Sequence, residues 1–384
     1  MEWLWSALFG WLAFLWAGAA VVSIRGMARL PRIRTIEPLA DADCPRVSVL
    51  FAARDEEEKL PQALPTHLAQ DYPNLEIVAV DDRSVDETPR ILDEAAARDA
   101  RLTVVHLREL PKGWLGKTHA LTKAYEKSSG EWLVFTDADV RFAPDLLRRT
   151  LALARQEELD HLTLLGELDL EGPFEKAVVS FFIMGFMLNA QPWQAKNPRA
   201  RQYTGVGAFQ LIRRSAYEAI GTHRRMALEV VDDMKLGKLV KQGGFRSGVG
   251  LAEGSVRVRW QAGVRNVIKG LTKNFFAALD FSLLRAALVL AMLFLLSVLP
   301  FAGLFFLDGA ALALDGLAVA FALATHMNAA RGIRLSPVYA LAHPFAALVV
   351  LYINMRSVVV TLGRGGVVWR DTFYPLEELR KGLV

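Results

Sequence analysis

Cysteine is almost missing from this chain: Cys44 is the single one in 384 residues. That excludes an intrachain disulfide and any cysteine-built metal cluster. A strong charge of either sign is also missing, since 45 Lys and Arg face 41 Asp and Glu for a formal net charge of +4. No nucleic-acid-binding motif, internal repeat or low-complexity tract is present, so nucleic acid is not an expected partner. The small basic excess lies partly beside apolar segments, where it suits anionic lipid headgroups. Hydrophobic residues make up 53% of the chain and charged residues 22%. This mixture implies a charged globular part joined to membrane segments.

Residues 3–24 carry no charge and are long enough to cross a bilayer as a helix. No basic stretch precedes them, and Arg25, Arg29, Arg32 and Arg34 follow. The expectation is an uncleaved anchor whose basic end, and the next domain, face the cytoplasm. Residues 286–307, 310–329 and 335–355 are further candidate spans, and His326 and His343 read as polar residues facing a helix bundle. Arg331 and Arg334 suggest a cytoplasmic loop. Three full crossings would put the basic residues from Arg356 onward outside, so one candidate is expected to be re-entrant or interfacial. Residues 174–193 are apolar but interrupted by Glu175, Lys176, Gly185 and Asn189. They read as an interfacial helix or lid, or as a buried helix of the globular part. Residues 264–283 form a basic amphipathic pattern with Arg265, Lys269 and Lys273, expected at the membrane surface.

Between these segments, apolar runs at 46–53, 75–80, 102–107 and 132–135 alternate with helical patterns, which predicts a mainly parallel, doubly wound α/β sheet. Acidic Asp55 to Glu58 are expected to open the first helix, as the helix dipole favours. Asp81 and Asp82 follow the second run, and Asp137 and Asp139 follow the fourth. In such sheets ligands gather past the carboxyl ends of the strands. On an extended backbone residues i and i+2 point the same way, so Asp137 and Asp139 could share one hard cation with a diphosphate. A glycine-spaced stretch holding Gly205 and Gly207 would let backbone approach a ligand closely. Asp232 and Asp233 open a later amphipathic helix, and Arg259 and Trp260 come after it.

Taken together, Val47-Ser48-Val49, Ala53-Arg54-Asp55-Glu56-Glu57, Val80-Asp81-Asp82-Arg83-Ser84, Pro111-Lys112-Gly113-Trp114-Leu115-Gly116-Lys117, Thr136-Asp137-Ala138-Asp139 and Asp232-Asp233 resemble the family 2 inverting glycosyltransferases of GT-A fold. The match is to their membrane-anchored, lipid-modifying branch of hopene-associated and carotenoid or ceramide type. It extends over residues 263–274 and the tail 369–374. The resemblance implies that Arg54, Glu56, Asp81 and Asp82 hold the nucleotide and that Lys117 lies near the diphosphate. It implies Asp137 and Asp139 as ligands of Mg or Mn, with Asp137 also on the donor, and Asp233, or its neighbour Asp232, as the general base. Trp114, Gly205, Gly207, Arg259 and Trp260 are expected on the acceptor or product side. Ala52 stands where proline is usual, Asp55 where asparagine is usual, and Asp232 where glutamate is usual. Val256 replaces the glutamine of the Gln-x-x-Arg-Trp motif of processive synthases.

The expected organisation is an anchor at 1–25, a basic connector at 26–45, a GT-A domain at 46–260, an interfacial helix at 261–285, a membrane region at 286–360 and a basic tail at 361–384. The expected activity is inverting, metal-dependent transfer of one hexose from a nucleotide sugar, a UDP-sugar, to a lipid such as a hopanoid or carotenoid. It would take place at the cytoplasmic face of a bacterial inner membrane. A processive polysaccharide synthase and a non-catalytic nucleotide-sugar-binding membrane protein are the alternatives.

Overall fold

The computed structural model describes residues 2–384; Met1, the first residue of the expected anchor, lies outside them. The described residues divide into two compact units, one of residues 30–169, 192–260 and 368–384, the other of 2–29, 170–191 and 261–367.

The first unit is built on strands β1 Val47–Ala53, β2 Leu75–Asp82, β3 Leu102–Leu107, β4 Trp132–Asp137, β5 Val140–Phe142, β6 His161–Leu165, β7 Glu167–Leu168, β8 Gln210–Arg213, β9 Ser247–Leu251 and β10 Val256–Val258. Seven form one sheet in the order β3-β2-β1-β4-β8-β6-β9. Only β8 runs antiparallel to its neighbours. A second small sheet is ordered β5-β10-β7.

The period of two decides which layer each side chain joins. Val47, Val49, Phe51 and Ala53 of β1 join one core with Ile77, Val134 and Leu60, Leu64, Leu92 and Leu151 of the covering helices. Leu50 points the other way and joins Val78, Val80, Leu133 and Phe135. That second core is closed by helices Gly116–Lys127, Arg214–Ala219 and Asp232–Gln242 through Ala120, Leu121, Tyr217, Leu236 and Leu239. Burial on both faces is what near-continuous apolar strands require.

Two local expectations are corrected. The first helix starts at Leu60, not among the acids at 55–58. Asp55 takes a positive φ of 51°, and the acids bond the next loop instead of a helix end. Asp137 ends β4, but Ala138 and Asp139 form a tight turn into β5, so the extended i, i+2 geometry does not apply.

Glu2–Met27, Pro173–Gln194, Leu283–Gly303, Gly309–Gly332 and Pro337–Arg364 are each long and apolar enough to cross a membrane, and all but the last three residues of Pro173–Gln194 belong to the second unit. Helix Pro173–Ala190 groups with the apolar helices. Its Phe181 meets the rings of His326 and His343, and Ser180 Oγ lies 3.0 Å from His326 Nε2. Both histidines are fully buried. The basic amphipathic segment is helix Gly263–Ala278.

Candidate active site

The sheet register brings the acidic clusters to one edge. Ala53 pairs with Asp81, Asp81 with His106, and Ala52 with Asp137. All three parallel pairings place carboxyl ends of strands together, where the open α/β fold leaves a crevice.

Helices Gly116–Lys127 and Asp232–Gln242 cover the same sheet face, so their first turns meet above this edge. Lys117 Nζ lies 2.9 Å from Asp137 Oδ1 and 3.3 Å from Asp232 Oδ2. Burial pulls the Lys117 ammonium toward losing its proton, but Asp137, Asp232 and Asp233 outweigh this and hold its pKa above the ordinary value. Asp232 is buried. That burial lifts its carboxyl above the usual range, with Lys117 opposing and Asp233 and Asp137 reinforcing.

Asp233 is less buried than Asp232. Its Oδ2 accepts the Gly207 N–H at 3.0 Å and its Oδ1 the Met234 N–H at 2.7 Å. Gly207 in turn accepts the Asp137 N–H at 3.0 Å. A Cβ on Gly207 would stand 2.8 Å from Asp137 Oδ2, and one on Gly205 would stand 1.9 Å from the Asp233 carbonyl oxygen. The glycine-spaced stretch thus allows the backbone between Asp137 and Asp233 to close up. Phe135, Gln210 and His223 complete a recess around Lys117 and the acid pair. Burial, followed by the Lys117 charge, drives the His223 pKa down to about 3, so this ring is neutral.

On the β2 side of the crevice, Asp82 accepts from Arg83 Nε at 2.8 Å, and its Oδ2 presses against Gly116, where a Cβ would sit 2.3 Å away. The loop after β1 is stitched to the loop after β2. Asp55 N–H donates to Ser84 Oγ at 3.1 Å, Glu56 N–H to Thr88 Oγ1 at 2.8 Å, and Glu57 N–H to Asp86 Oδ2 at 3.0 Å. Burial, eased by Arg370, raises the Glu56 carboxyl pKa.

Asp139 pairs with Lys59 Nζ at 2.6 Å, and burial, aided by Asp137, keeps its carboxyl above the usual range. No group of three or more His, Cys, Asp or Glu among the described residues could hold a metal alone. Asp137 and Asp139 stand at the turn from β4 to β5, the first beside Lys117 and the second beside Lys59, and two such carboxylates fit a hard cation that shares its remaining positions with phosphate and water.

Some expected residues gather here and others do not. Lys117, Asp137, Asp232, Asp233, Gly205 and Gly207 come together, and Asp82 borders them at Gly116, whereas Asp81 is fully buried and bonded to Ser84 and His106. Trp114 lies against the His119 ring, with centroids 5.5 Å apart. Arg259 reaches the Asp169 carbonyl at 2.5 Å beside the small sheet, and Trp260 packs on the main core. The sequence reading assigned no role to Lys59, His106, Arg370 or Tyr374. Arg370 donates to the Arg54 carbonyl at 2.7 Å and pairs with Glu56, and Tyr374 Oη accepts the Gly116 N–H at 3.3 Å. The tail motif was the available signal for the last two; nothing local marks Lys59.

Residues 48–221 match the family model described as Glycosyl transferase family 2. A beta-monoglucosyldiacylglycerol synthase from Nostoc sp. is 29% identical over 50% of this chain and 40% of its own length. A 4,4'-diaponeurosporenoate glycosyltransferase from Staphylococcus haemolyticus is 24% identical over 59% of this chain and 60% of its own. The chain thus spans less than two thirds of each of these relatives. A mannosyltransferase from Pyrobaculum calidifontis, solved with GDP-Man and Mn2+, superposes with a TM-score of 0.54 at 20% identity, covering 93% of this chain and 99% of its own.

Proposed function

We propose, for a chain that carries a glycosyl transferase family 2 domain of GT-A fold, that it moves one sugar from a nucleotide sugar, a UDP-sugar, to a hydroxyl or carboxyl of a membrane lipid, with inversion. The observation that carries this reading is the division of labour between the paired acids. Asp232 is buried and ion-paired with Lys117, whereas Asp233 is more open and held by two backbone N–H groups.

Asp233 is the general base. It takes the proton of the acceptor O–H as that oxygen bonds to the anomeric carbon and the bond to the diphosphate oxygen breaks. A single displacement with one base inverts the anomeric centre. Lys117 supplies positive charge toward the departing nucleoside diphosphate, and Asp232 keeps that ammonium charged and in place. Asp137 and Asp139 would hold Mg or Mn, which supplies further charge neutralisation on the diphosphate. Asp82, with Asp81 and the Arg54–Glu56 loop, holds the nucleoside. The lipid acceptor is supported by five helices among the described residues that are apolar enough to cross a membrane, and by similarity to a beta-monoglucosyldiacylglycerol synthase and a 4,4'-diaponeurosporenoate glycosyltransferase. A hopanoid or carotenoid is the acceptor class tested first, and the cytoplasmic inner-membrane face is the proposed location.

The test is labelling of extracted lipids in membranes bearing the full chain, with radiolabelled UDP- and GDP-sugars. One labelled lipid, lost in Asp139→Ala, is expected. Labelled polymer retained by a gel would replace the reading with a processive synthase. Donor binding without any product would replace it with a non-catalytic protein.

A further inference from the structure

His106, at the end of β3, meets a carboxylate at each ring nitrogen. Nδ1 lies 3.0 Å from Asp81 Oδ2 and Nε2 lies 2.9 Å from Asp93 Oδ1. A neutral imidazole has one N–H and one lone pair, so it satisfies only one of these acceptors; the imidazolium satisfies both. The two carboxylates differ in environment, the Asp81 side chain being 0% exposed and Asp93 60%. A lone pair turned toward Asp81 would leave a buried carboxylate oxygen without its donor. Strand β3 is the sheet edge. The ring's charged neighbours are Asp81 from β2 and Asp93 from helix Thr88–Ala96, while Val105 and Leu107 flank it in the strand. The hydrogen bond to Asp81, followed by that to Asp93, raises the His106 pKa above the ordinary value.

Asp81 passes this constraint on. Its Oδ1 accepts the Ser84 N–H at 3.0 Å, Ser84 Oγ accepts the Asp55 N–H at 3.1 Å, and Asp55 Oδ1 accepts the Val85 N–H at 2.8 Å. Arg54 and Glu56 flank Asp55. The ring proton is therefore linked, through three side chains, to both loops on the nucleotide side.

We propose that His106 is a positioning residue of the nucleotide pocket: its imidazolium, clamped between Asp81 and Asp93, holds the Asp81–Ser84 turn and the Arg54–Glu56 loop in the arrangement that binds the nucleoside, and losing the ring proton loosens that grip. This rests on the donor-site reading given above. His106 touches no reacting atom, so it acts on affinity for the nucleotide.

The experiment is equilibrium dialysis of UDP and of GDP against the detergent-solubilised full chain, from about pH 6 to about pH 8.5, the range that spans an imidazole titration. Wild type, His106→Gln and Asp93→Asn are compared, and the variant-to-wild-type ratio of Kd at each pH cancels titration of the nucleotide itself. Near pH 6, His106→Gln should bind about 10-fold more weakly, and the ratio should approach one as pH rises and the wild-type ring becomes neutral. Asp93→Asn, at an exposed position, should match wild type at the acid end and weaken at a lower pH than wild type does. A His106→Gln ratio that is near one throughout, or that is raised equally at every pH, overturns the proposal. If His106→Gln fails to fold, an Asp93→Asn profile identical to wild type overturns it instead. Wild type that binds neither nucleotide overturns the donor-site reading and this inference with it. Wild type that binds while the variants stay silent overturns this inference alone.

Discussion

Replacing Lys117 by methionine keeps most of the side-chain volume and removes one charge from among three carboxylates. The Lys117 and Asp232 side chains are 22% and 6% exposed, so their contact at 3.3 Å is a buried pair; Asp137 is 43% exposed. Breaking a buried pair from one side costs about 3–5 kcal/mol, and an exposed pair is worth about 0–1 kcal/mol. Asp232 escapes part of this loss by taking up a proton, so about 2–3 kcal/mol is expected near neutral pH. For a unit of this size that lowers the Tm by roughly 5–10 °C in a thermal melt of the purified chain. The pH dependence follows from the direction of the Asp232 shift. A carboxyl whose folded-state pKa is raised destabilises the fold above that pKa, and the penalty fades as pH falls toward the unfolded value near 3.8. Without Lys117 the effects of burial and of Asp233 are unopposed, so this window moves toward neutral pH. The Tm gap between Lys117→Met and wild type should therefore narrow from about pH 7.5 to about pH 5.5. Equal melting of the two proteins, or a gap that widens on acidification, would refute the reasoning.

Three further outcomes follow from the same geometry. Gly207→Ala places a Cβ 2.8 Å from Asp137 Oδ2; transfer should fall at least about 10-fold with the melt nearly unchanged, since a short carboxylate can move aside but not keep its position. Gly116→Ala would press on Asp82 and Arg83, at 2.3 and 2.9 Å; donor KM should rise more than kcat falls in steady-state assays. Arg370→Ala removes the contacts to the Arg54 carbonyl and Glu56; nucleotide Kd should weaken by about 3- to 10-fold, measured by equilibrium dialysis, with Arg370→Lys recovering part of the loss.

The sheet was legible where period and composition agree. β1 to β4 fall where the apolar runs predict them: β1, β2 and β4 are buried on both faces and read as nearly continuous hydrophobe, while the edge strand β3 is only partly buried and is marked by its β-branched run Thr103-Val104-Val105. The later strands were harder to find. β6 contains His161 and Thr163, whose polar groups are satisfied by Ser247, Gln210 and the Phe209 carbonyl only once β8 and β9 lie alongside. The acids at 55–58 look like a helix start, yet they bond the 84–88 loop, a partner some thirty residues away that no local pattern reveals. Helix Pro173–Ala190 was ambiguous because Glu175 and Lys176 lie in its first turn, where they interrupt the apolar pattern without preventing a long apolar helix. Asp232 and Asp233 could not be told apart by sequence. Helix phase separates them, turning one toward Lys117 and leaving the other more open beside Gly207.

That separation is the centre of the account, and a matched pair of isosteric variants tests it. With an active donor and lipid acceptor, Asp233→Asn should lower the transfer rate roughly 100- to 10,000-fold. It should leave nucleotide Kd within about threefold of wild type, because only the proton acceptor is removed. Asp232→Asn should retain more transfer while weakening nucleotide binding through a less well held Lys117. Full transfer in Asp233→Asn, or a rate collapse confined to Asp232→Asn, would contradict the assignment of Asp233 as the base.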